Sequence, residues 1–538
     1  MSKPSETETE AVVFDPATGT VRSRHAWMSP EEVDRASARA RGAQARWSEL
    51  TPRQRARRIR PLAHWLSTEA EGLSSVICQC TGKPRMDAVT YEVLPAAIAT
   101  RHYCRMAPRW LAPERPTPSN VAYRIKHARI HRVPHGLVGI IAPWNYPLGI
   151  PSHEIVSALL AGNGVLFKTA PETVPVGEAL AEGIAGLDLP EGLFAHLVMP
   201  GPAAGERFLG VDGVDKLNFT GSTSVGHHLA KEAAERFVPV TLELGGKDAM
   251  LVRADAPMPR AANGAVWGGM QNSGQACAGI ERIYVEDAIH DRFVSAVAER
   301  VEALHVGPPG DPCSDVGPLA SRRQLEHVRA QVDAAISGGA RIAAQAAPGP
   351  TASPEGFYYP ATLLTGVHEG MSVMREETFG PVIAVQRVRD LDEAVALAND
   401  SPYALTASIW TRDRRRARRW ARRLNAGTVM LNDHLMTHGM PELPWGGPGI
   451  SGLGRTHGRT GMHGMTRELS VVDDRLWFLP RQLWWFPYDA GLVGAMGGLL
   501  DLLHGRGLRR RLAGGSRALR LLPRMVRDGV HDGSRPES

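Results

Sequence analysis

The chain has 538 residues, 43% of them hydrophobic and 22% charged, which is enough to bury a large core and predicts two or three domains. The net charge of +6 does not indicate a nucleic-acid-binding body, because residues 505–538 hold nine arginines against three acids and leave residues 1–504 neutral. Five scattered cysteines show neither a disulfide framework nor metal-site spacing, so we expect reduced thiols, a cytoplasmic location and no bound metal.

The first part of the chain is predicted to be a polar segment followed by helices. Met1 to Glu10 is polar and acidic without a secretory signal, so we expect the chain to begin near Met1. At residues 29–32, a capping serine, a proline and two acids predict the start of a helical section. After three prolines between residues 113 and 118, residues 121–133 alternate apolar with basic side chains, which predicts a half-exposed strand pair or arm.

From Gly136 the pattern is that of an α/β protein. Short apolar runs typical of buried parallel strands alternate with helical stretches, and they lie at residues 137–142, 165–168, 216–220 and 240–244. This alternation predicts a doubly wound α/β domain. A second α/β unit is predicted from about Gly246 to Leu431, with strands at residues 283–285 and 381–385.

The C-terminal part differs from the rest. Six aromatic residues fall between Trp477 and Tyr488, then Ala490 to Leu503 is mostly apolar, and then the arginines begin. The apolar stretch contains Asp501 and is shorter than the ~18–20 residues needed to cross a bilayer. Two interpretations stay open: residues 481–527 lie on a membrane surface, on the cytoplasmic face, or they form an aromatic flap packed on the body and a disordered arginine-rich tail.

Three residues are candidates for chemistry at a carbonyl carbon. Cys277, in the turn Gly274-Gln-Ala-Cys277, is a candidate nucleophile, although a lone cysteine is usually just buried. Asn145 follows an apolar strand in a Pro-Trp-Asn-Tyr-Pro turn and is a candidate oxyanion donor, or only a capping residue of the turn. Glu243 ends another apolar strand and is a candidate base for water, or else the partner of Lys247 or an arginine.

Two further features suit a nucleotide. Residues 219–226 follow a strand and open a helix, so their free N–H groups are suited to a phosphate, although the sequence is not the usual glycine-rich fingerprint. Lys168 ends a strand and is suited to ribose hydroxyls or a phosphate; alternatively it is a solvated strand end.

Taken together, these residues resemble the NAD(P)-dependent aldehyde dehydrogenase superfamily over about residues 28–472. Seven blocks occur in the order of that family: Pro143-Trp-Asn-Tyr-Pro147, Lys168, Phe219-Thr-Gly-Ser-Thr223, Glu243-Leu-Gly-Gly-Lys247, Gly274-Gln-Ala-Cys277, Glu376-Glu-Thr-Phe-Gly-Pro381 and Ser451-Gly-Leu-Gly-Arg455.

The resemblance implies a role for each matching residue. Cys277 would be the nucleophile, Asn145 the oxyanion donor and Glu243 the general base. The implied cofactor is NAD or NADP, with Lys168 on the adenosine ribose, Ser222 on the pyrophosphate, Glu377 on the nicotinamide ribose and Phe379 beside the nicotinamide. The other implied cofactor-binding residues are Trp144, Gly221, Leu244 and Gly245.

The resemblance also implies a fold: a Rossmann-like cofactor-binding domain plus an α/β catalytic domain with a small β oligomerisation arm. The domains would be a polar segment (1–27), the cofactor-binding domain (28–118 and 134–245), the arm (119–133 and 466–480), the catalytic domain (246–435), a segment returning to the cofactor domain (436–465) and the C-terminal extension (481–538). Partners would be a small-molecule aldehyde and further copies of the chain, as a homodimer or homotetramer.

The implied activity is oxidation of an aldehyde to the acid through a cysteine thiohemiacetal and then a thioester. Glu243 would activate the water that hydrolyses the thioester, and the acyl group would not be transferred to coenzyme A. The alternative is a catalytically idle structural or membrane-adaptor protein on the same scaffold. Two positions depart from the family. Pro171, followed by Glu172, stands where a ribose-binding glutamate is frequent, so the preference between NAD and NADP stays open. Glu154 stands where many relatives carry lysine.

Overall fold

The computed structural model describes residues 9–120, 123–482, 484–486, 488, 490–520 and 522–526. Contacts divide the chain into two compact units, Met1–Ala112 with Arg132–Glu468 and Pro113–His131 with Leu469–Ser538. Parts of three predicted segments lie outside the described residues: residues 1–8 of the polar segment, 121–122 of the arm, and 483, 487, 489, 521 and 527–538 of the C-terminal extension.

The first unit begins with a hairpin and six helices. Strands β1 (Glu10–Phe14) and β2 (Val21–Ala26) pair in antiparallel fashion, so the predicted polar segment contains regular structure. The helices are α1 (Pro30–Ser48), α2 (Pro52–Ile59), α3 (Pro61–Thr68), α4 (Ala70–Thr81), α5 (Arg85–Ala88) and α6 (Leu94–Trp110). A π-helical turn, Val89–Val93, joins α5 to α6. The predicted helix start is confirmed, because Ser29 and Glu32 form a capping box at α1.

A six-stranded sheet follows the strand β3 (Lys126–Pro134). Its members are β4 (Leu137–Ile141), β5 (Gly164–Lys168), β6 (Phe194–Leu197), β7 (Lys216–Thr220), β8 (Val240–Glu243) and β16 (Gly452–Leu453), in the order β16-β8-β7-β4-β5-β6. Only β16 is antiparallel to its neighbour. Helices alternate with these strands along the chain: α7 (Gly149–Ala161), α8 (Val174–Ala185), α9 (Gly201–Phe208) and α10 (Thr223–Glu235). The predicted doubly wound α/β domain is confirmed.

A seven-stranded sheet forms the second α/β part. Its members are β9 (Asp248–Val252), β10 (Ile280–Glu286), β11 (Arg341–Ala346), β12 (Ala361–Thr365), β13 (Val382–Val388), β14 (Thr406–Trp410) and β15 (Thr428–Leu431), in the order β11-β12-β13-β10-β9-β14-β15. Only β11 is antiparallel to its neighbour. The helices of this part are α11 (Met258–Met270), α12 (His290–Glu302), α13 (Arg322–Ser337), α14 (Ser372–Arg375), α15 (Leu391–Asn399) and α16 (Arg414–Ala421). The helix α17 (Gly458–Gly464) follows β16 and packs against α6 and α7 of the first α/β part.

Both sheets are buried on two faces, which explains why their strands read as continuous apolar runs and not as alternating ones. Every residue of β4, β9 and β14 is buried. The carboxyl ends of β4, β7 and β8 lead into Asn145, Gly221 and Leu244 respectively. Loops at the carboxyl ends of parallel strands are where open α/β sheets place their ligands.

Strand β3 is hydrogen-bonded to β17 (Thr466–Asp474) in a separate two-stranded sheet, and Lys126 forms an ion pair with Asp474. The predicted association of the 121–133 region with the 468–472 stretch is therefore confirmed over the described residues. That this strand pair mediates oligomerisation stays a prediction.

The C-terminal extension contains two helices, α18 (Ala490–His504) and α19 (Leu508–Leu519). Asp501 on α18 accepts hydrogen bonds from Arg510 and Arg517 on α19. The alternative of a disordered arginine-rich tail is therefore wrong for residues 508–519, because this carboxylate and the close packing of Gly514 against Gly498 join α19 to α18. Across the described residues, no helix has both the length and the apolar character needed to cross a bilayer.

Candidate active site

Cys277 lies in a strained loop between α11 and β10. Asn272 and Ser273 have left-handed backbones, with φ of 54° and 55°, and Gly274 has φ of 70°. A Cβ atom at Gly274 would lie 1.9 Å from the carbonyl oxygen of Gly380, so only glycine fits this position. Strain of this kind persists only when the surroundings hold the backbone in place.

Contacts from distant parts of the chain hold the loop. The backbone N–H of Asn272 donates to Asp87 Oδ2 at 2.8 Å, and Ser273 Oγ donates to the carbonyl oxygen of Gly317 at 2.9 Å. Gln275 Oε1 accepts the backbone N–H of Ala320 at 2.9 Å. These bonds fix the backbone on both sides of the cysteine and so fix the position of its sulfur.

The Cys277 side chain lines two cavities, one polar and one apolar. Burial, followed by the charges of Glu377, Asp248 and Glu243, raises the pKa of the Cys277 thiol above its ordinary value, while a hydrogen bond from the backbone of Ala278 opposes the rise. Reaction at this sulfur therefore requires a nearby proton acceptor.

Asn145 is held in the polar cavity by both its peptide unit and its side chain. Its Nδ2 donates to the carbonyl oxygen of Gln275 at 3.0 Å, which uses one of the two amide hydrogens and leaves the other for an oxyanion. Its own carbonyl oxygen accepts from Lys83 Nζ at 2.7 Å and from Asn272 Nδ2 at 3.1 Å. The alternative of a residue that merely caps its own turn does not describe these long-range bonds.

Glu243, the last residue of β8, is 5% exposed, and among the described residues neither carboxylate oxygen has a hydrogen-bond partner. Burial and then the charge of Glu154 raise the pKa of Glu243 well above its ordinary value, while Arg455 and the neighbouring backbone and hydroxyl of Thr456 partly oppose them. The alternative of a salt bridge to Lys247 is wrong, because Lys247 pairs with Glu281. A buried carboxylate without partners is suited to accept a proton.

Most residues predicted to bind the cofactor surround the polar cavity of about 210 Å³ that also contains Cys277, Asn145 and Glu243: Trp144, Gly221, Ser222, Leu244, Gly245, Glu377 and Phe379. Lys168 is the exception. It is buried at the end of β5, does not line this cavity, and has a pKa lowered to about 8 by burial.

The residues present fit a dinucleotide. Ser222 precedes α10, a helix of 13 residues, and its side chain makes no capping bond, so the first amides of the helix are available to a phosphate. Glu377 Oε1 accepts the backbone N–H of Gly246 at 3.0 Å, and a Cβ at Gly245 would lie 2.5 Å from the same carboxylate. The rings of Phe379 and Trp144 meet edge to face at 5.4 Å and form an apolar wall suited to a flat heterocycle.

The apolar cavity, of about 220 Å³, extends from Cys277 between α6, α11 and the 435–445 loop, and no charged side chain lines it. Several of its polar groups bond to one another: Tyr146 Oη donates to Gln271 Oε1 at 2.7 Å, and Trp267 Nε1 donates to Tyr91 Oη at 3.2 Å. Gln271 Nε2 has no hydrogen-bond partner among the described residues. The cavity therefore suits an apolar group attached to the reacting carbonyl.

Sequence reasoning missed Lys83 and Glu92. Lys83 Nζ lies 2.6 Å from Glu92 Oε1 and 4.1 Å from the centre of the Tyr146 ring, besides its bond to Asn145. Both side chains are fully buried. The only sequence signal was the scarcity of lysine, since Lys83 is one of seven.

Comparisons with known proteins agree with the geometry. A family model described as "Aldehyde dehydrogenase family" matches residues 3–471. The 4,4'-diapolycopene aldehyde oxidase of Methylomonas sp is 37% identical over 498 residues, covering 92% of each chain. A Mycolicibacterium smegmatis protein, named "Putative succinate-semialdehyde dehydrogenase" with NADP+ as its cofactor, is 36% identical over 447 residues, 83% of this chain and 85% of that one. The crystal structure of a Mycobacterium tuberculosis aldehyde dehydrogenase complexed with NAD+ has a TM-score of 0.82 at 32% identity and covers 87% of this chain and 95% of that one.

Proposed function

The chain belongs to the aldehyde dehydrogenase family, and from this premise we propose that it oxidises an apolar aldehyde to the carboxylic acid with NAD+ or NADP+. The observation that carries the proposal is one polar cavity that brings together Cys277, Asn145 and Glu243 beside an apolar cavity that shares the same sulfur.

The proposed reaction uses these side chains in turn. Loss of the thiol proton to water in the polar cavity lets Cys277 Sγ bond to the carbonyl carbon. The oxygen becomes an alkoxide that Asn145 Nδ2 and the backbone N–H of Cys277 stabilise. Phe379 would hold a nicotinamide, which would supply the acceptor for a hydride from this carbon, and the carbon would then be part of a thioester with Cys277.

Hydrolysis completes the cycle. Glu243 takes a proton from water, and the hydroxide attacks the thioester carbon. The bond between carbon and sulfur breaks, the acid leaves, and Cys277 is restored. The raised pKa of Glu243 supports this role, because a stronger base takes a proton from water more readily.

The uncharged lining of the apolar cavity supports an apolar substrate. A second carboxylate, as in succinate semialdehyde, would lose its water and find no positive partner among the described lining residues. The aldehyde in the name of the Methylomonas relative, 4,4'-diapolycopene aldehyde, would fit this lining better than succinate semialdehyde, the compound in the name of the Mycolicibacterium relative.

A survey of kcat/KM over long aliphatic, aromatic and acidic aldehydes, with NAD+ and with NADP+, tests the proposal. We expect apolar aldehydes to exceed succinate semialdehyde by at least about tenfold, since unpaired burial of a charge costs well over about 1.4 kcal/mol. Cys277→Ala is expected to abolish turnover, and Cys313→Ala, which removes an exposed thiol, to leave it unchanged. Full activity in Cys277→Ala would refute the mechanism, and a preference for acidic aldehydes would refute the substrate class.

We further propose that the strand pair β3–β17 serves oligomerisation, in a homodimer or homotetramer. Exposed backbone edges of a two-stranded sheet support this role, because such edges pair readily with another chain. Sedimentation velocity of the full chain tests it, and a monomer at micromolar concentration would contradict it.

Contact of residues 481–527 with a membrane is a separate proposal, supported by exposed aromatic residues such as Trp485 and Phe486.

A further inference from the structure

The outer face of α5, the π-helical turn and α6 carries a continuous stripe of exposed side chains. Met86, Val89, Leu94 and Ile98 are apolar, and Arg101 and Arg105 continue the same line. Steps of three or four residues keep side chains on one helical face, and the π-helical turn accounts for the step of five from Val89 to Leu94. The stripe is therefore apolar at one end and basic at the other.

The apolar end surrounds the mouth of the apolar cavity. Leu94 and Ile98 line that cavity and are 50% and 46% exposed, and Met436 lines it from the opposite loop at 47% exposure. Met86 is tied to the cavity wall because Thr90 Oγ1, on that wall, donates to its sulfur at 3.6 Å. We call the exposed apolar side chains around this mouth the apolar rim: Met86, Val89, Leu94 and Ile98 of the stripe, Met436, and Met440, which follows the lining residue Gly439.

The basic end borders a second depression, of about 700 Å³, which we call the arginine basin and which is lined by Arg53, Arg57, Arg60, Arg101 and Arg105. Ile98 lines both the basin and the apolar cavity. Within the part of the chain that the structure describes, Arg53, Arg57, Arg60 and Arg101 form no ion pair. The single acid in the basin, Glu442, lies 3.3 Å from His102.

We propose that the apolar rim and the arginine basin together dock on an anionic lipid bilayer, so that the mouth of the apolar cavity opens onto the lipid. Apolar side chains enter the boundary between headgroups and acyl chains, and the adjoining arginines bind anionic headgroups. An apolar aldehyde dissolved in the bilayer then reaches Cys277 without crossing water. Delivery of an aldehyde from the bilayer to Cys277 rests on the proposed function. Binding of this surface to lipid does not depend on enzyme activity.

Charge favours the bilayer over a second copy of the chain. In a two-fold interface the same patch faces itself, so five arginines would meet five arginines with a single acid on each side. The apolar rim likewise has no use in binding a nucleic-acid backbone, which offers phosphates and no apolar layer. Anionic lipid supplies both the negative charge and the apolar layer.

Co-sedimentation of the full chain with vesicles tests the proposal. One set of vesicles contains phosphatidylcholine with phosphatidylglycerol, and the other phosphatidylcholine alone. The variants are Met86→Glu with Met440→Glu for the apolar rim, and Arg53→Gln with Arg57→Gln for the arginine basin. Matched controls are Val211→Glu with Ile336→Glu, two exposed apolar residues elsewhere, and Arg414→Gln with Arg418→Gln, which keep the four-residue spacing on α16.

We expect the parent to bind the phosphatidylglycerol vesicles and to bind phosphatidylcholine alone only weakly. Each arginine replaced is expected to lower the affinity about fivefold, which makes about 25-fold for the basin pair. The rim pair is also expected to lose binding, and both control pairs are expected to keep it. All variants should oxidise a short water-soluble aldehyde at the parental rate.

Two results with vesicles overturn the proposal. One is absence of binding by the parent. The other is undiminished binding by the rim and basin variants, which would assign the contact to another segment. A changed sedimentation coefficient of the rim variant without lipid also overturns it, because the face would then join two copies. Normal vesicle binding with no aldehyde oxidation would instead refute the proposed function alone.

Discussion

Glu243 and Glu154 are two carboxyl groups that share one small space behind Cys277. Burial raises the pKa of Glu154 to about 7, and its charge in turn contributes to the raised pKa of Glu243. Their surroundings differ, since Glu243 lines the polar cavity with the sulfur and Glu154 does not. On the proposed function Glu243 is the base, and the charge of Glu154 raises the pKa of that base.

Replacing the base separates the two halves of the reaction. In Glu243→Gln we expect the first turnover to release reduced nicotinamide in a rapid burst and steady-state turnover to fall by about 10²–10⁴-fold, the usual contribution of a general base. Stopped-flow absorbance at saturating aldehyde measures both phases. Glu299→Gln, on the surface of α12, is the control. Equal loss of burst and steady state would show that Glu243 acts before hydride transfer.

Replacing the neighbour shifts the pH profile. Because the charge of Glu154 raises the pKa of Glu243, Glu154→Gln lowers that pKa, and the rising limb of the hydrolysis rate moves to lower pH. Arg455, which lowers the pKa of Glu243, and Lys216 beside Glu154 are unchanged in this variant. Steady-state rates between about pH 5 and 9 measure the shift. A limb that moves to higher pH would contradict the assigned direction of the coupling.

At the scale of elements, the loop between α11 and β10 determines whether Cys277 is in place. Its backbone strain is visible only in the structure, because the sequence Gln-Asn-Ser-Gly is compatible with many turns. The sequence predicted the strand that follows the loop, at residues 283–285 within β10, from its apolar character. It did not predict the contacts of Asn272 and Ser273 with Asp87 and Gly317, which lie far away in the chain.

Gly274→Ala is expected to destabilise the protein by about 1–3 kcal/mol and to abolish most activity, since the new Cβ meets the carbonyl of Gly380 and the backbone must leave φ of 70°. Urea denaturation and kcat measure the two effects. Gly72→Ala in α4 is the matched control, because nothing lies within 4 Å of its Cβ position and alanine favours the helix by about 0.5–1 kcal/mol. If both variants had the same stability, the loop would not be strained.

At the scale of the whole molecule, the sequence predicted two α/β parts and the residues Cys277, Asn145 and Glu243 in one site. The two α/β parts were predictable because parallel strands buried on both faces read as continuous apolar runs. The grouping of Cys277, Asn145 and Glu243 came from the resemblance to the family, and the three residues line one cavity. The wall of the apolar cavity was not predictable, since Tyr91, Trp267 and Trp445 come from three separate segments and each reads as an ordinary core aromatic. The helix α19 was missed because its arginines outweigh its few leucines.

Buried titratable groups set the pH range of stability. Burial lowers the pKa of His196, His434 and His438 to about 4, so these folded-state groups bind fewer protons than the unfolded chain below about pH 6.5. Burial raises the pKa of Asp248 and Glu377 to about 8, so they bind more protons than the unfolded chain from about pH 4 to 8. Above about pH 6.5 these histidines are neutral in both the folded and the unfolded chain, so they no longer change the stability with pH. The two carboxyl groups still bind more protons in the folded chain, so they lower the stability as pH rises.

We therefore expect the urea midpoint to be highest near about pH 6 to 7 and to fall toward about pH 8. Asp248→Asn is expected to reduce that fall, because its side chain no longer ionises while an amide oxygen can still accept from Thr406. Circular dichroism at a series of pH values measures the midpoints. A midpoint that rises steadily between about pH 6.5 and 8 would contradict the assigned directions.

The uncharged wall of the apolar cavity also bears on how the cycle ends. Oxidation converts a neutral carbonyl compound into an anion at neutral pH. On the proposed function this carboxylate forms at the carbon that Cys277 held, beside the buried carboxyl group of Glu243, and the apolar wall offers it no cation to turn toward. The site would therefore hold the neutral aldehyde more readily than the acid made from it. Product inhibition should accordingly be weak, and the acid should dissociate soon after its carboxylate forms.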